Sequence, residues 1–194
     1  MITTGNGSYA EMIQTYALHG MSKGAWKRYS DEGFKHYRIV YPGFKYNMMD
    51  IQAALGIHQL SKTENYLKRR EEIWHRYDEA LKTLPLDIPA PAEENTTHAR
   101  HLYTILLRLD ELTADRDTIQ QALYAENIGT GIHFISLHLH PYYQETFGYK
   151  RSDYPNATYV SDRTISLPLS AKLTDEDVTD VINAVTKVLT NHTK

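Results

Sequence analysis

The chain of 194 residues contains no cysteine. That absence excludes disulfide bonds, thiolate zinc sites and a cysteine nucleophile. No apolar run approaches the roughly 20 residues that a membrane-spanning helix needs. The opening residues Met1-Ile2-Thr3-Thr4-Gly5 carry no basic segment and no apolar one. A secretory signal is therefore not expected, and the chain reads as soluble and cytoplasmic. The Asn-x-Ser/Thr triplets at Asn6, Asn95, Asn156 and Asn191 are then chance matches. An excess of one charge is also lacking, since 21 Lys and Arg against 24 Asp and Glu leave −3. Blanket phosphate neutralisation, and with it a nucleic-acid partner, is excluded at that balance. Internal repeats and low-complexity tracts are absent too. At 41% apolar and 23% charged, the chain is no disordered tail, collagen-like chain or coiled coil.

Phenylalanine and tryptophan are sparse, at 4 and 2, yet tyrosine reaches 15. A tyrosine-rich protein either buries amphipathic rings with partnered hydroxyls or exposes them at an interface.

Local patterns divide the chain. Ile2-Thr3-Thr4 is β-branched and stops at the turn cluster Gly5-Asn6-Gly7. Such a strand needs a partner, which sets the start of the chain inside a larger architecture. Ser8 and Glu11 have capping-box spacing for a helix that Gly20 ends. Residues 21–47 are loop-like, basic and aromatic, and a loop of that length is usually functional. Residues 48–60 form a helix, and Ser61 with Glu64 opens another that buries Tyr66, Ile73, Trp74, Tyr77 and Leu81. The charge run 68–72 reads as a solvated face with a Lys68–Glu72 pair. Pro85, Pro89 and Pro91 then mark a linker.

From residue 98 onward strands and helices alternate. Strands are expected at 98–109, 131–135 and 165–169, and helices at 115–127, 157–163 and after Thr174. Tyr103, Ile105 and Leu107 share one strand face, Thr104 and Leu106 the other. Residues 137–154 read as irregular. The fold class is α/β, a small sandwich with helices packed on a short sheet.

Three constellations invite chemistry. His133, His138 and His140 cluster, but no Asp or Glu lies in 128–144 and a structural zinc wants four ligands, so no metal is assigned. Gly129 and Gly131 follow a helix and open a strand, the reverse of the dinucleotide fingerprint. They read as a helix stop and a tight turn. Lys45, Tyr46 and Asn47 stand just before the helix at Met48. A cation, neutral donors and a helix N-terminus suit an anion, and a plain capping loop suits the same residues. No nucleophile–base pair and no paired carboxylates stand out.

Several blocks, in order, resemble the DegT/StrS family of pyridoxal-phosphate nucleotide-sugar aminotransferases. They are Leu18-His19-Gly20-Met21-Ser22 with the run from Gly24 to Tyr29, and Gly43-Phe44-Lys45-Tyr46-Asn47 continuing through Asp50-Ile51-Gln52-Ala53-Ala54-Leu55-Gly56. Further on come Arg69-Arg70-Glu71 with Tyr77, His101-Leu102-Tyr103, and Ile128-Gly129-Thr130-Gly131-Ile132-His133-Phe134. Leu137-His138, Pro141-Tyr142-Tyr143, Ser166-Leu167-Pro168-Leu169 and the run Thr174 to Asp177 complete the match. Ser136 replaces the family's usual proline.

The resemblance implies the C-terminal part of a fold-type I transferase that uses pyridoxal 5'-phosphate (PLP). Residues 1–47 would be the tail of the large cofactor domain with an interface loop. Residues 48–84 would be connecting helices, and 85–194 the small α/β domain. The implied partners are a second copy in a homodimer or a missing N-terminal half, a nucleotide-sugar substrate, and an amino-acid donor such as glutamate. Lys45, Tyr46 and Asn47 would reach the phosphate of the partner subunit's PLP. Many relatives have Asn at the Lys45 position and Arg at the Asn47 position. His133, Trp26, Arg28 and Tyr29 would line the substrate pocket. The family's Schiff-base lysine precedes the strand that Ile2-Thr3-Thr4 matches, so this chain is expected to hold no catalytic residue and to be inactive alone. A non-catalytic dimerisation module, or part of a PLP-dependent sugar dehydratase, is the alternative.

Overall fold

The computed structural model describes residues 2–22 and 38–194. The chain divides into two compact units, Met1–Ser61 and Lys62–Lys194.

The first unit holds helices α1 (Gly7–Ala17) and α2 (Asp50–Leu60), neither of which buries a residue. The α1 cap is Asn6, not Ser8. Asn6 is extended, and its Oδ1 accepts from the Ser8 and Tyr9 amides at 3.0 and 3.3 Å. Its short amide reaches both donors from outside the helix, leaving Ser8 inside the first turn. Residues 2–4 join no strand. After α1 the chain reverses through His19 and Gly20, both at positive φ. A Cβ on Gly20 would lie 1.8 Å from the Tyr41 carbonyl oxygen, and one on Gly43 2.0 Å from the Gly20 nitrogen. The two glycines therefore let two backbones touch. Met49 precedes α2, and its amide donates to Gln52 Oε1 at 3.0 Å.

The second unit is built on a three-stranded antiparallel sheet, ordered β1 (Leu86–Asp87), β2 (Tyr103–Leu107), β3 (Thr164–Leu167). Leu86 pairs with Leu107, and Tyr103, Thr104 and Ile105 face Leu167, Ser166 and Ile165. Along β2 Tyr103, Ile105 and Leu107 are buried, as the alternation requires. Helix α3 (Thr63–Leu81) contributes Ile73, Trp74, Tyr77 and Leu81 to the core. Helix α4 (Arg116–Ala125) adds Ile119 and Leu123. Two short helices, α5 (Pro141–Phe147) and α6 (Pro155–Arg163), precede β3. Helix α7 (Asp175–Asn191) closes the unit with a stripe of Val178, Val181, Val185 and Leu189, and packs on α3 and α4. Its capping box is reciprocal: Thr174 Oγ1 accepts from the Asp177 amide, and Asp177 Oδ2 from the Thr174 amide.

Several expectations shift. The strand expected at 131–135 shrinks to one bridge, Gly131 to Ser166, closed by reciprocal backbone bonds of 3.1 and 2.8 Å. Beyond it the chain turns outward, leaving Phe134 and Ile135 exposed. The sheet's other strand slot goes to β1, inside the stretch read as a proline linker. Residues 137–154 are not irregular. They hold single turns at Leu137–Leu139 and Arg151–Asp153 around α5. Proline at the start of α5 and α6, and Gly148 at φ +69 after α5, are the ordinary helix punctuation. The Lys68–Glu72 pair is replaced by Arg69, which meets Glu72 at 3.3 Å and Asp175 at 2.8 Å. Arg69 also donates to the Leu173 carbonyl. Arg76 donates to Asp175 Oδ1, the Asp175 carbonyl and Thr179 Oγ1. What reads as a solvated run is in part the tie between α3 and the start of α7.

The core tyrosines have partnered hydroxyls. Tyr77 donates to the Pro168 carbonyl and Tyr103 to Asp78 Oδ1, both at 2.8 Å. Burial pushes both phenols well above the usual tyrosine range, and the Asp78 bond adds to it at Tyr103. Trp74 and Tyr77 meet the Tyr103 ring edge-on at 4.8 and 5.0 Å.

Two outcomes follow from this packing. The Arg69 hydrogen bond, then its charge, hold the Asp175 carboxyl below the usual range. A lowered carboxylate stabilises the fold above its unfolded value, about 3.9, and loses that contribution as pH falls through its folded value. Asp175→Asn should therefore lower Tm near neutrality and flatten the Tm–pH curve below about pH 4, read by thermal denaturation across pH. Tyr77→Phe strands the Pro168 carbonyl and should cost about 1–3 kcal/mol, read by urea denaturation.

Candidate functional site

The anion-binding candidates share one loop of the first unit. Its backbone is held against the end of α1: the Phe44 amide donates to the Tyr16 carbonyl at 2.7 Å, and the Tyr46 amide to the Ala17 carbonyl at 2.8 Å. The His19 amide returns a bond to the Phe44 carbonyl, and Leu18 bridges Lys45. Three consecutive side chains are thereby set in place. Lys45 and Tyr46 are exposed, Tyr46 at 73%, with its ring stacked 5.0 Å from Phe44. Asn47 is half-buried, and its Oδ1 is enclosed without a hydrogen-bond partner. That oxygen is an acceptor and would not meet a phosphate; what Asn47 can offer an anion is its amide NH2 as a donor. A cation, a phenol and an amide on adjacent residues fit the donor needs of a phosphate.

His133 belongs to the second unit. Its Nδ1 lies 2.9 Å from Ser166 Oγ, which lies 3.1 Å from Thr104 Oγ1. The ring folds back over Gly131, where a Cβ would come within 2.7 Å of its Cε1. Gly131 thus serves a close approach, while the helix stop before it is Asn127 at φ +64. Sequence reasoning missed Ser166 and Thr104. The available signal was that each carries a hydroxyl on a strand, but only the register brings them together.

The histidine cluster does not converge. His138 is buried and shares a 2.8 Å bond between Nε2 and Thr158 Oγ1. Thr158 spends its own proton on the Arg151 carbonyl, so His138 is the donor. Among the described residues no three His, Asp or Glu gather as a metal site. Around His138 lies a cavity of about 420 Å³ walled by Leu137, Tyr143, Tyr149 and Tyr154. Rings run on from it through Tyr149, Phe147 and Tyr142 at 5.6 to 6.4 Å. Trp26, Arg28 and Tyr29 lie outside the described residues. No helix among those described is long and apolar enough to cross a membrane.

Known proteins are similar to this chain in sequence and in fold. The family model for DegT/DnrJ/EryC1/StrS aminotransferases matches residues 1–186. Protein MJ1066 of Methanocaldococcus jannaschii is 50% identical over 192 residues, covering 99% of this chain and 50% of its own length. The spore coat polysaccharide biosynthesis protein SpsC of Bacillus subtilis is 47% identical, covering 97% of this chain and 49% of its own. Spr1654 of Streptococcus pneumoniae, assigned as a sugar aminotransferase and solved in a PLP form, superposes with a TM-score of 0.79. It is 31% identical, and the match covers 97% of this chain and 45% of that one. The chain spans about half the length of the curated relatives it matches. With its sequence matched over 186 residues and its fold shared with solved aminotransferases, the chain belongs to the DegT/DnrJ/EryC1/StrS aminotransferase family.

Proposed function

We propose that the chain is the C-terminal portion of a PLP-dependent aminotransferase acting on a nucleotide-linked ketosugar. An amino acid such as glutamate is the donor, and the aminosugar feeds cell-surface polysaccharide or a related product. The polysaccharide role of SpsC supports that product class. In this reading residues 1–47 end the cofactor domain, 48–84 connect, and 85–194 form the small domain.

The observation that carries the reading is the 45–47 loop, fixed by backbone bonds with the Lys45 and Tyr46 side chains exposed. Lys45 Nζ supplies a cation to the phosphate of a partner subunit's PLP, Tyr46 a hydroxyl, and Asn47 its amide. When bound, the cofactor supplies the electron sink for amino-group exchange. The chain's residues hold and orient. Lys45, Tyr46 and Asn47 fix the phosphate end, and His133, with Trp26, Arg28 and Tyr29, faces the sugar. The lysine that carries the cofactor covalently is supplied by residues other than these.

A second reading rests on the first unit's surface. Met48, Met49, Ile51, Leu55, Ile57 and Leu60 are all more than half exposed, which favours a module whose role is partner binding.

Two measurements test the proposal. After incubation with PLP and borohydride reduction, the chain should carry only sub-stoichiometric label scattered over its exposed lysines. Stoichiometric labelling of a single lysine would sink the idea that the carrier lysine lies elsewhere. Co-expression with an upstream half from a relative should restore transamination of a nucleotide ketosugar, whereas tight association without turnover favours the second reading. In the restored enzyme Lys45→Ala removes one charge-assisted contact and should weaken PLP retention roughly 10- to 100-fold.

A further inference from the structure

The three side chains at the β2–β3–Gly131 crossing form one hydrogen-bonded line. Thr104 and Ser166 are directly opposed across β2 and β3. Ser166 is bridged on its other side to Gly131 by the reciprocal backbone bonds. Residue 133 then lies two positions along from the bridge, and its ring returns over Gly131 to meet Ser166 Oγ. Ser166 is 4% exposed, so its hydroxyl must be satisfied from within.

Donor accounting gives the line a direction. Each hydroxyl has one proton to give. If Thr104 donates to Ser166 and Ser166 to His133 Nδ1, both protons are used and the imidazole keeps its own on Nε2. If His133 Nδ1 donates to Ser166 and Ser166 to Thr104, the Thr104 proton has no acceptor among the described residues. The first arrangement spends both hydroxyl protons inside the line and leaves one group, Nε2–H, to be met from outside, whereas the second leaves two, the proton of the half-buried Thr104 and the Nε2 lone pair.

We propose that Ser166, whose oxygen takes the Thr104 proton, is the positioning residue that holds His133 as the Nε2–H tautomer, with Gly131 providing the space for its ring. His133 then presents a hydrogen-bond donor outward, suited to an oxygen of the ligand, such as a sugar hydroxyl, a keto oxygen or a diphosphate oxygen. It does not present a base. That ligand side rests on the reading of His133 as a substrate residue, whereas the tautomer belongs to this chain alone.

The test is long-range nitrogen-15 NMR of the His133 ring in the 194-residue chain, at a pH well above the ordinary imidazole range of about 6.5. The wild type should show one form, with Nδ1 unprotonated and Nε2 protonated. Ser166→Ala should lose that single form and give resonances averaged between both tautomers. Thr104→Val, which keeps the packing, should retain it, because the Ser166 proton still reaches Nδ1. Gly131→Ala should give the Ser166→Ala pattern by displacing the ring. Backbone amide spectra confirm that each variant is folded. A protonated Nδ1 in the wild type, or a Ser166→Ala ring indistinguishable from it, overturns the proposal. In the restored two-part enzyme Ser166→Ala should raise KM for the nucleotide sugar more than it lowers kcat. An unchanged KM beside the expected NMR result would remove His133 from the sugar pocket and leave the tautomer assignment standing.

Discussion

Strand β3 is buried at all four positions, and the second unit depends on how its polar groups are satisfied. Two of its residues, Thr164 and Ser166, are polar. A buried strand must find every backbone partner inside the protein. The Thr164 amide bonds the Val160 carbonyl, and the Thr164 hydroxyl finds no partner among the described residues. β3 pairs with β2 on one side and, at Ser166, with Gly131 on the other. That single residue of pairing also fixes where His133 stands. Core construction and the placing of a candidate ligand residue are therefore one event, and a register slip would undo both.

The two units meet opposite physical demands. The second has a closed core of aliphatic side chains from α3, α4, α7 and the sheet, with tyrosines whose hydroxyls are spent internally. The first has two helices with no buried residue and a row of large apolar side chains in solvent. Hydrophobic burial cannot be what orders its loop. The order comes from backbone hydrogen bonds between residues 16–20 and 40–46, and from two glycines that allow close contact. Such a frame leaves the Lys45 and Tyr46 side chains exposed.

Much of this was legible in the residues. The alternation of Tyr103, Ile105 and Leu107, the Thr174–Asp177 capping box and the α3 stripe are local patterns, and each matches the fold. Lys45, Tyr46 and Asn47 were legible as a candidate site because they are consecutive. The misses are relations between distant residues. Arg69 read as part of a solvated run because its partner, Asp175, lies over a hundred positions away. β1 is two residues long and sits between prolines, too short for any period to show. Thr104, Ser166 and His133 carry no joint signal, since only strand register makes them neighbours. Asn6 displaced Ser8 as a cap because two adjacent candidates differ only in geometry.

The contact between Gly20 and Gly43 has a consequence for anyone redesigning the 40–47 loop. Lys45 sits two residues from one of those glycines, and the pair acts as a hinge pin between two stretches of backbone. The frame around 45, 46 and 47 is made by backbone bonds, not by their side chains, so substitutions there act on the surface they present more than on the loop's closure. The pin itself tolerates no added carbon atom. Diversity in this loop therefore belongs at the exposed Lys45 and Tyr46, and substitutions at the two glycines break the loop's closure.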